Sequence, residues 1–234
     1  WSPVGAGFDS TVADFVVFDD GTGGALYASG SFTQSGAHVT QRIAKWDGQS
    51  WLPVGTGIDG DGTVGVRAMA VFDDGSGSAL YAGGTFDTAG GAPADSIAKW
   101  DGTNWQALGE NIEIDGDIWA LQVHDDGGGP ALFASGFLFN IGGESVTNVA
   151  RWNGMQWEPV PELHPNRAVT AMEVFDVGAG PILLGGRRNE YNWIRYNRIV
   201  AWDGLRWRGL HGALSADLDK SLWVHALTKL DFGY

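Results

Sequence analysis

Side chains able to do chemistry gather in two places in this sequence. The segment Arg187-Arg188-Asn189-Glu190-Tyr191-Asn192-Trp193-Ile194-Arg195-Tyr196-Asn197-Arg198 holds four arginines and three large aromatics in an otherwise acidic chain. Trp, Tyr and Arg dominate interface energetics, and a guanidinium fork matches carboxylates and anionic sugars. Arg187, Arg188, Tyr191, Trp193, Arg195, Tyr196 and Arg198 are therefore the candidate binding residues, with Tyr191, Trp193 and Arg195 on one side if the segment is extended. The competing reading is structural, a set of ion pairs to acidic loops. Those loops are the second place: Asp59, Asp61, Glu110, Glu113, Asp115, Asp117, Glu162, Asp217 and Asp219. Asp59-Gly60-Asp61-Gly62 offers a weak calcium candidate through Asp59 and Asp61, because the full Asp-x-Asp-x-Asp-Gly…Glu spacing is missing. The bland alternative is a solvated loop.

Catalytic patterns are lacking. The five histidines (His38, His124, His164, His211, His225) have no paired ligand spacing. No Gly-x-Ser-x-Gly elbow, phosphate loop or dinucleotide fingerprint occurs, and without cysteine there is no thiolate ligand or nucleophile. A net charge of −14 opposes binding to a phosphate backbone, and no apolar run reaches the roughly 18 residues of a membrane span. The expectation is no enzyme, no nucleic acid and no membrane insertion.

The elements that position these side chains come from a repeat. Trp46-Asp47-Gly48-Gln49-Ser50-Trp51 returns at Trp100 to Trp105, Trp152 to Trp157 and Trp202 to Trp207, with Trp1 as the tail of an earlier copy. Phe18-Asp19-Asp20-Gly21 leading to Leu26-Tyr27-Ala28-Ser29-Gly30 returns at Phe72 to Gly84 and His124 to Gly136, and in drifted form at Phe175 to Gly186. Each copy holds four short apolar segments, in the second Val66 to Phe72, Ala79 to Phe86, Ser96 to Trp100 and Asn104 to Leu108, read as strands a to d. The Asp-Gly between c and d predicts a two-residue type I′ hairpin with Trp46 opposite Gln49 and Ala44 opposite Trp51. Both tryptophans and Ala44 then share one sheet face, with Ile43 and Leu52 on the other. A sheet apolar on both faces needs cover on both, and radial stacking of such sheets supplies it. Nine of the twelve tryptophans belong to this pair, which argues for packing and against sugar stacking. The Asp-Asp-Gly motifs read as a–b turns, their carboxylates bonded to nearby amides.

The fold class expected is all-β, a β-propeller of four-stranded antiparallel blades. Residues 12–54, 66–108, 117–160 and 168–210 are its blades, 1–4 a strand d, and 222–234 the strand a of a fifth blade. The missing strands lead to an expectation of five or more blades, or of self-assembly through the incomplete blade. From the glycine ending strand b to the strand-d tryptophan is 21 residues in all four copies, whereas the strand-d tryptophan lies 18, 22, 20, 19 and 24 residues before the next strand-a aspartate. Length variation thus falls in the d–a connections, which share one end of a meandering sheet with the b–c connections, and that end is the candidate binding surface.

The double glycine closing strand b, the aromatic ending strand c and the tryptophan of strand d resemble the kelch repeat of galactose-oxidase-like propellers, with a shorter aromatic-to-tryptophan interval. The copies are still more similar to the Leu-Tyr-Ala-Gly-Gly…Ile-Ala-Lys-Trp-Asp-Gly repeats of large secreted bacterial proteins. The resemblance implies a secreted or cell-surface propeller that binds a protein or forms a scaffold. Alternatives are a carbohydrate-binding propeller and a polysaccharide-active enzyme with carboxylates at its central channel. The cysteine-linked tyrosine of a copper radical site has no counterpart. No cofactor is expected, calcium aside.

Overall fold

Short runs rich in Val, Ile, Ala and aromatics, each closed by an Asp-Gly or Gly-x-Gly turn, favour antiparallel hairpins over helices. The computed structural model describes residues 4–61, 63–108, 114–161, 168–176, 180–187, 199–209 and 227, with Arg187 by its backbone alone. The first copy forms β1 (Val12–Asp19), β2 (Gly24–Gly30), the small pair β3 (Gln34–Ser35) and β4 (His38–Val39), then β5 (Ile43–Trp46) and β6 (Trp51–Pro53). In the second copy come β7 (Ile58–Asp59), β8 (Gly65–Asp73), β9 (Ser78–Thr85), β10 (Thr88–Ala89), β11 (Ala92–Pro93), β12 (Ile97–Trp100) and β13 (Trp105–Ala107). The third contributes β14 (Ile114–Asp125), β15 (Pro130–Ile141), β16 (Glu144–Ser145), β17 (Val149–Trp152) and β18 (Trp157–Pro159). The fourth adds β19 (Val169–Asp176), β20 (Pro181–Arg187), β21 (Ile199–Trp202) and β22 (Trp207–Gly209). Each copy is a four-stranded antiparallel meander, β1-β2-β5-β6, β8-β9-β12-β13, β14-β15-β17-β18 and β19-β20-β21-β22. The protein is all-β over the described residues.

Successive sheets stack face to face, with their first strands β1, β8, β14 and β19 lying beside one another in that order. Phe18, Tyr27 and Ile43 of the first sheet enter one cluster with Met69, Leu80, Ala98, Trp100 and Trp105 of the second. Phe72, Tyr81 and Ile97 meet Leu121, Leu132, Ala150 and Trp152 in the next interface, and Phe133 and Val149 meet Met172, Leu183, Val200 and Trp202 in the third. Each sheet therefore has a trailing face, toward its successor, and a leading face that carries the tryptophan pair.

The c–d hairpin corrects the register read from the sequence. Trp46 lies opposite Trp51 and Ala44 opposite Pro53, and the same Trp-Trp pairing holds in the other three sheets. The turn is not type I′. Gly48 has φ 99°, but Asp47 is not among the residues of positive φ. The cause is the aspartate, whose Oδ1 accepts the amides of Gln49 (2.8 Å) and Ser50 (2.7 Å), the first of which a two-residue turn would need for the Trp46 carbonyl. The loop is therefore two residues longer on the hairpin axis, and the two indoles meet with centroids 5.2 Å apart. Because the shift is even, the assignment of Trp46, Trp51 and Ala44 to one face is unchanged.

Two glycine positions are set by close approach. A β-carbon on Gly102 would lie 2.7 Å from the carbonyl oxygen of Asp20, and one on Gly154 2.6 Å from that of Asp74, so each c–d turn seats on the a–b turn of the preceding sheet. At the other site, every first strand has a β-bulge, which sets aside Ala13, Arg67, Trp119 and Thr170. Gly30, Gly84 and Gly136 face the bulges, and a β-carbon on any of them would fall about 2 Å from a bulge-strand carbonyl oxygen.

The stacking predicts a contrast between two equivalent glycines. Gly48→Ala, with positive φ but open space around it, is expected to cost about 1 kcal/mol. Gly102→Ala adds the collision with Asp20 and is expected to lose roughly 3 kcal/mol in total. Urea denaturation checks this, and equal losses would contradict the seating of one sheet's turn on the next.

Candidate functional site

The a–b turns absorb much of the charge that the sequence displays. Asp19 Oδ1 accepts the amides of Gly21 and Gly23 (2.9 Å each), and Asp73 and Asp125 repeat the arrangement, as the turn reading predicts. The second aspartate of each motif does something the sequence reading missed. Asp20 Oδ2 accepts from Lys45 Nζ (2.6 Å) and Tyr27 Oη (2.9 Å), and Asp74 Oδ2 from Lys99 Nζ (2.7 Å) and Tyr81 Oη (2.7 Å). Burial acts to raise the pKa of Asp74, but the bonds from Lys99, Ser76 and Tyr81 outweigh it and hold the carboxyl at about 2. Burial and the neighbouring carboxylates raise the phenols of Tyr27 and Tyr81 well above the usual range. In the third sheet Arg151 replaces the lysine and grips Asp126 through both oxygens (2.7 and 2.8 Å), while Phe133 replaces the tyrosine. The signal was present in the recurrence of Tyr and Lys at the repeat period. These clusters brace the a–b turns.

The opposite end of the sheets is where the connections meet. β7, in the connection into the second sheet, pairs with β10 in the b–c segment of that sheet. Its Ile58 amide also donates to the Gln41 carbonyl of the preceding sheet (3.0 Å), so one connection ties two sheets together. Asp9 fixes the equivalent junction of the first sheet, accepting from the Thr33 amide (2.8 Å) and hydroxyl (2.7 Å). In the third sheet β14 and β15 lengthen to 12 residues each and take both segments into the main ladder. Gly116, at φ 130°, permits the extra bulge between Asp115 and Gly116 that this requires.

That lengthened end carries the feature which sequence reasoning passed over. Phe137 and Phe139 are 48% and 49% exposed, with ring centroids 4.7 Å apart in an edge-to-face pair. Trp119, half-buried, lies nearly parallel to Phe137 (16°) at 6.5 Å. The equivalent positions hold Ser31 and Thr85 for Phe137, Thr33 and Asp87 for Phe139, and Ala13, Arg67 and Thr170 for Trp119. Folding of the repeat thus does not require aromatics there. Three substitutions toward large rings at one end of one sheet were the signal, hidden because each occurs singly within a well-kept repeat.

The predicted site residues fare unevenly. Of the arginine-aromatic segment, Arg187 ends β20 opposite Val169, and Arg188, Tyr191, Trp193, Arg195, Tyr196 and Arg198 lie outside the described residues, as do Glu110, Glu113, Glu162, Asp217 and Asp219. Asp59 accepts from Arg42 Nη1 (2.9 Å) and the Gly60 amide (2.9 Å), and the Asp61 amide donates to Asp87 Oδ2 (2.6 Å). These contacts staple the connection. Among the described residues no three His, Cys, Asp or Glu side chains gather as a metal site. Asp14, the carboxylate on β1 beside the bulge, is raised in pKa by burial and accepts the Met69 amide of the next sheet (2.7 Å). The recurring tryptophans are in the interior, Trp51, Trp105, Trp157 and Trp207 being buried. The fold and this end of it define an all-β protein of repeated four-stranded sheets with an exposed aromatic group at the connection end. Compared with protein-family models, curated proteins and solved structures, the chain matches none.

His124 gives a prediction for pH. It stands where Phe18 and Phe72 close the other first strands, is buried against Phe133 (5.9 Å between centroids), and burial lowers its pKa below 6.5 despite Asp126 and Asp125 nearby. The unfolded chain then takes up the proton first, so stability is full above the unfolded pKa and falls as pH drops through it. His124→Phe is expected to flatten the melting temperature between about pH 8 and about pH 5 relative to the parent. Unchanged slopes in thermal melts would show that the ring is solvated.

Proposed function

We propose that the four sheets are blades of a β-propeller with kelch-like repeats, and that the chain is a non-catalytic secreted or cell-surface module that binds a protein partner or serves as a scaffold. Supporting the propeller are the ordered apposition of the four first strands and the burial of both faces of the middle sheets. One observation carries the binding reading: Trp119, Phe137 and Phe139 hold exposed aromatic area at the connection end, at positions which the repeat fills elsewhere with small or polar side chains. Solvent-exposed rings of this kind, grouped and rimmed by polar loops, are the anchor chemistry of protein interfaces. The Arg187–Arg198 segment, by sequence the b–c connection of the following copy, adds the Trp, Tyr and Arg types that dominate such contacts.

A glycan reading has one specific observation in its favour, the near-parallel Trp119 and Phe137 rings, whose electron-rich faces suit the C–H face of a sugar ring. Peptide display against the full chain, run beside a glycan array, separates the two. Selected peptides are expected to weaken by about tenfold or more on Trp119→Ala/Phe137→Ser/Phe139→Thr, and also on Trp193→Ala, at unchanged melting temperature. A blank peptide selection with array hits lost in the same variants moves the assignment to a lectin. Binders indifferent to every one of these substitutions remove this end as the binding surface.

A further inference from the structure

We propose that Asn153 is a self-modification site, whose side-chain amide is lost in the folded protein through ring closure by the Gly154 nitrogen, leaving an acid in the c–d turn of the third sheet. This turn, between β17 and β18, holds the single Asn-Gly step of the chain, where the other copies have Asp47-Gly48, Asp101-Gly102 and Asp203-Gly204. Asn153 Oδ1 accepts the amides of Met155 (2.9 Å) and Gln156 (3.0 Å), and Nδ2 donates to Glu158 Oε1 (2.8 Å). Those three bonds fix which way the side-chain amide points. The Gly154 amide makes no hydrogen bond among the described residues, and a glycine has no side chain to shield it.

Each part of the reaction has a group in place. Attack of the Gly154 nitrogen on Cγ turns Oδ1 into an oxyanion, and two backbone donors at 2.9 and 3.0 Å are already aimed at that atom. The leaving nitrogen is the one held by Glu158, whose other oxygen accepts Arg151 Nε (2.8 Å), so the carboxylate positions it without reacting. The Gly154 amide gives its proton to water, its nitrogen bonds Cγ, the Cγ–Nδ2 bond breaks, and ammonia leaves with a proton taken from water. Water then adds to the succinimide and cleaves one of its two C–N bonds, giving an aspartyl or isoaspartyl residue. In sum one water is consumed and one ammonia released.

The aspartyl product fits, because Asp47, Asp101 and Asp203 accept the corresponding two amides in their own turns. What changes is the partner on strand d. Asp101 Oδ2 accepts Gln106 Nε2 (2.7 Å) and Asp203 Oδ2 accepts Arg208 Nε, whereas at the third turn the new carboxylate faces Glu158. The folded chain thereby gains a negative charge beside Arg151, which already grips Asp126.

The inference goes beyond the binding reading, and its failure leaves that reading intact. The full chain is held in mildly alkaline buffer and, in parallel, in guanidinium chloride, and peptide mapping with electron-transfer fragmentation follows every asparagine. Asn153 is expected to convert ahead of the others in buffer, and about tenfold faster there than in denaturant, because only the folded turn aims both donors at Oδ1. An Asn-Gly step without the turn gives no such excess. Asn153→Asp is expected to melt cooperatively, as the product must if it persists in the folded protein. Conversion of Asn153 in buffer that is no faster than in denaturant, conversion that trails another asparagine, or an Asn153→Asp chain that is unfolded overturns the proposal.

Discussion

In the first two sheets the tryptophan of strand d is seated on the Val-Gly-x-Gly segment that leads into the sheet. Trp105 Nε1 donates to the Val54 carbonyl (3.0 Å) and Trp51 Nε1 to that of Val4 (3.3 Å). A β-carbon on Gly55 would stand 3.0 Å from the Trp100 ring, and one on Gly5 2.8 Å from the Trp46 ring, so the glycines admit the paired indoles at contact distance. Both terms are needed. Burial of a side chain this large contributes roughly 3–5 kcal/mol, and the indole N–H must find an acceptor to be buried without cost. At Trp105 the acceptor directly follows the last strand of the preceding sheet, so there the bond also limits how far one sheet can rotate on the next. Connections, turns and exposed rings are placed by that stacking.

The charged groups follow from it. A trailing face that must be buried can carry a lysine and two aspartates only if their polar ends are consumed locally, and the a–b turn does this through the Asp-Tyr-Lys contacts. The same turn offers its carbonyl side to the next sheet's c–d glycine, so that one motif satisfies charge and shapes the contact. Where the brace changes, as in Arg151 with Asp126, the next sheet answers: Trp202 Nε1 donates to Asp126 Oδ2 (3.2 Å).

Much of this was legible from residue order. Period, strand identity and the faces of the c–d hairpin could be read because tryptophan and glycine are costly to misplace, and the error in register was by two residues, which leaves sidedness intact. The Asp47 carboxylate defeated the turn assignment, since Asp-Gly suits several turns and only the competition for the Gln49 amide decides among them. Gly30, Gly84 and Gly136 could be recognised as a motif, but not as the response to a bulge on the facing strand, which sequence does not mark. The exposed rings escaped for a related reason: attention to the segment of greatest compositional drift, Arg187 to Arg198, overlooks Trp119, Phe137 and Phe139, each a single change in an intact copy.

The bulge in each first strand has an evolutionary corollary. The four residues it releases, Ala13, Arg67, Trp119 and Thr170, share no size, charge or polarity. A position outside the ladder in this way carries no part of the strand pairing, so the four copies can differ in side chain at one fixed height while the paired residues around it keep their register. The chain carries, in effect, a small set of interchangeable sockets, and selection or design can refit them one at a time.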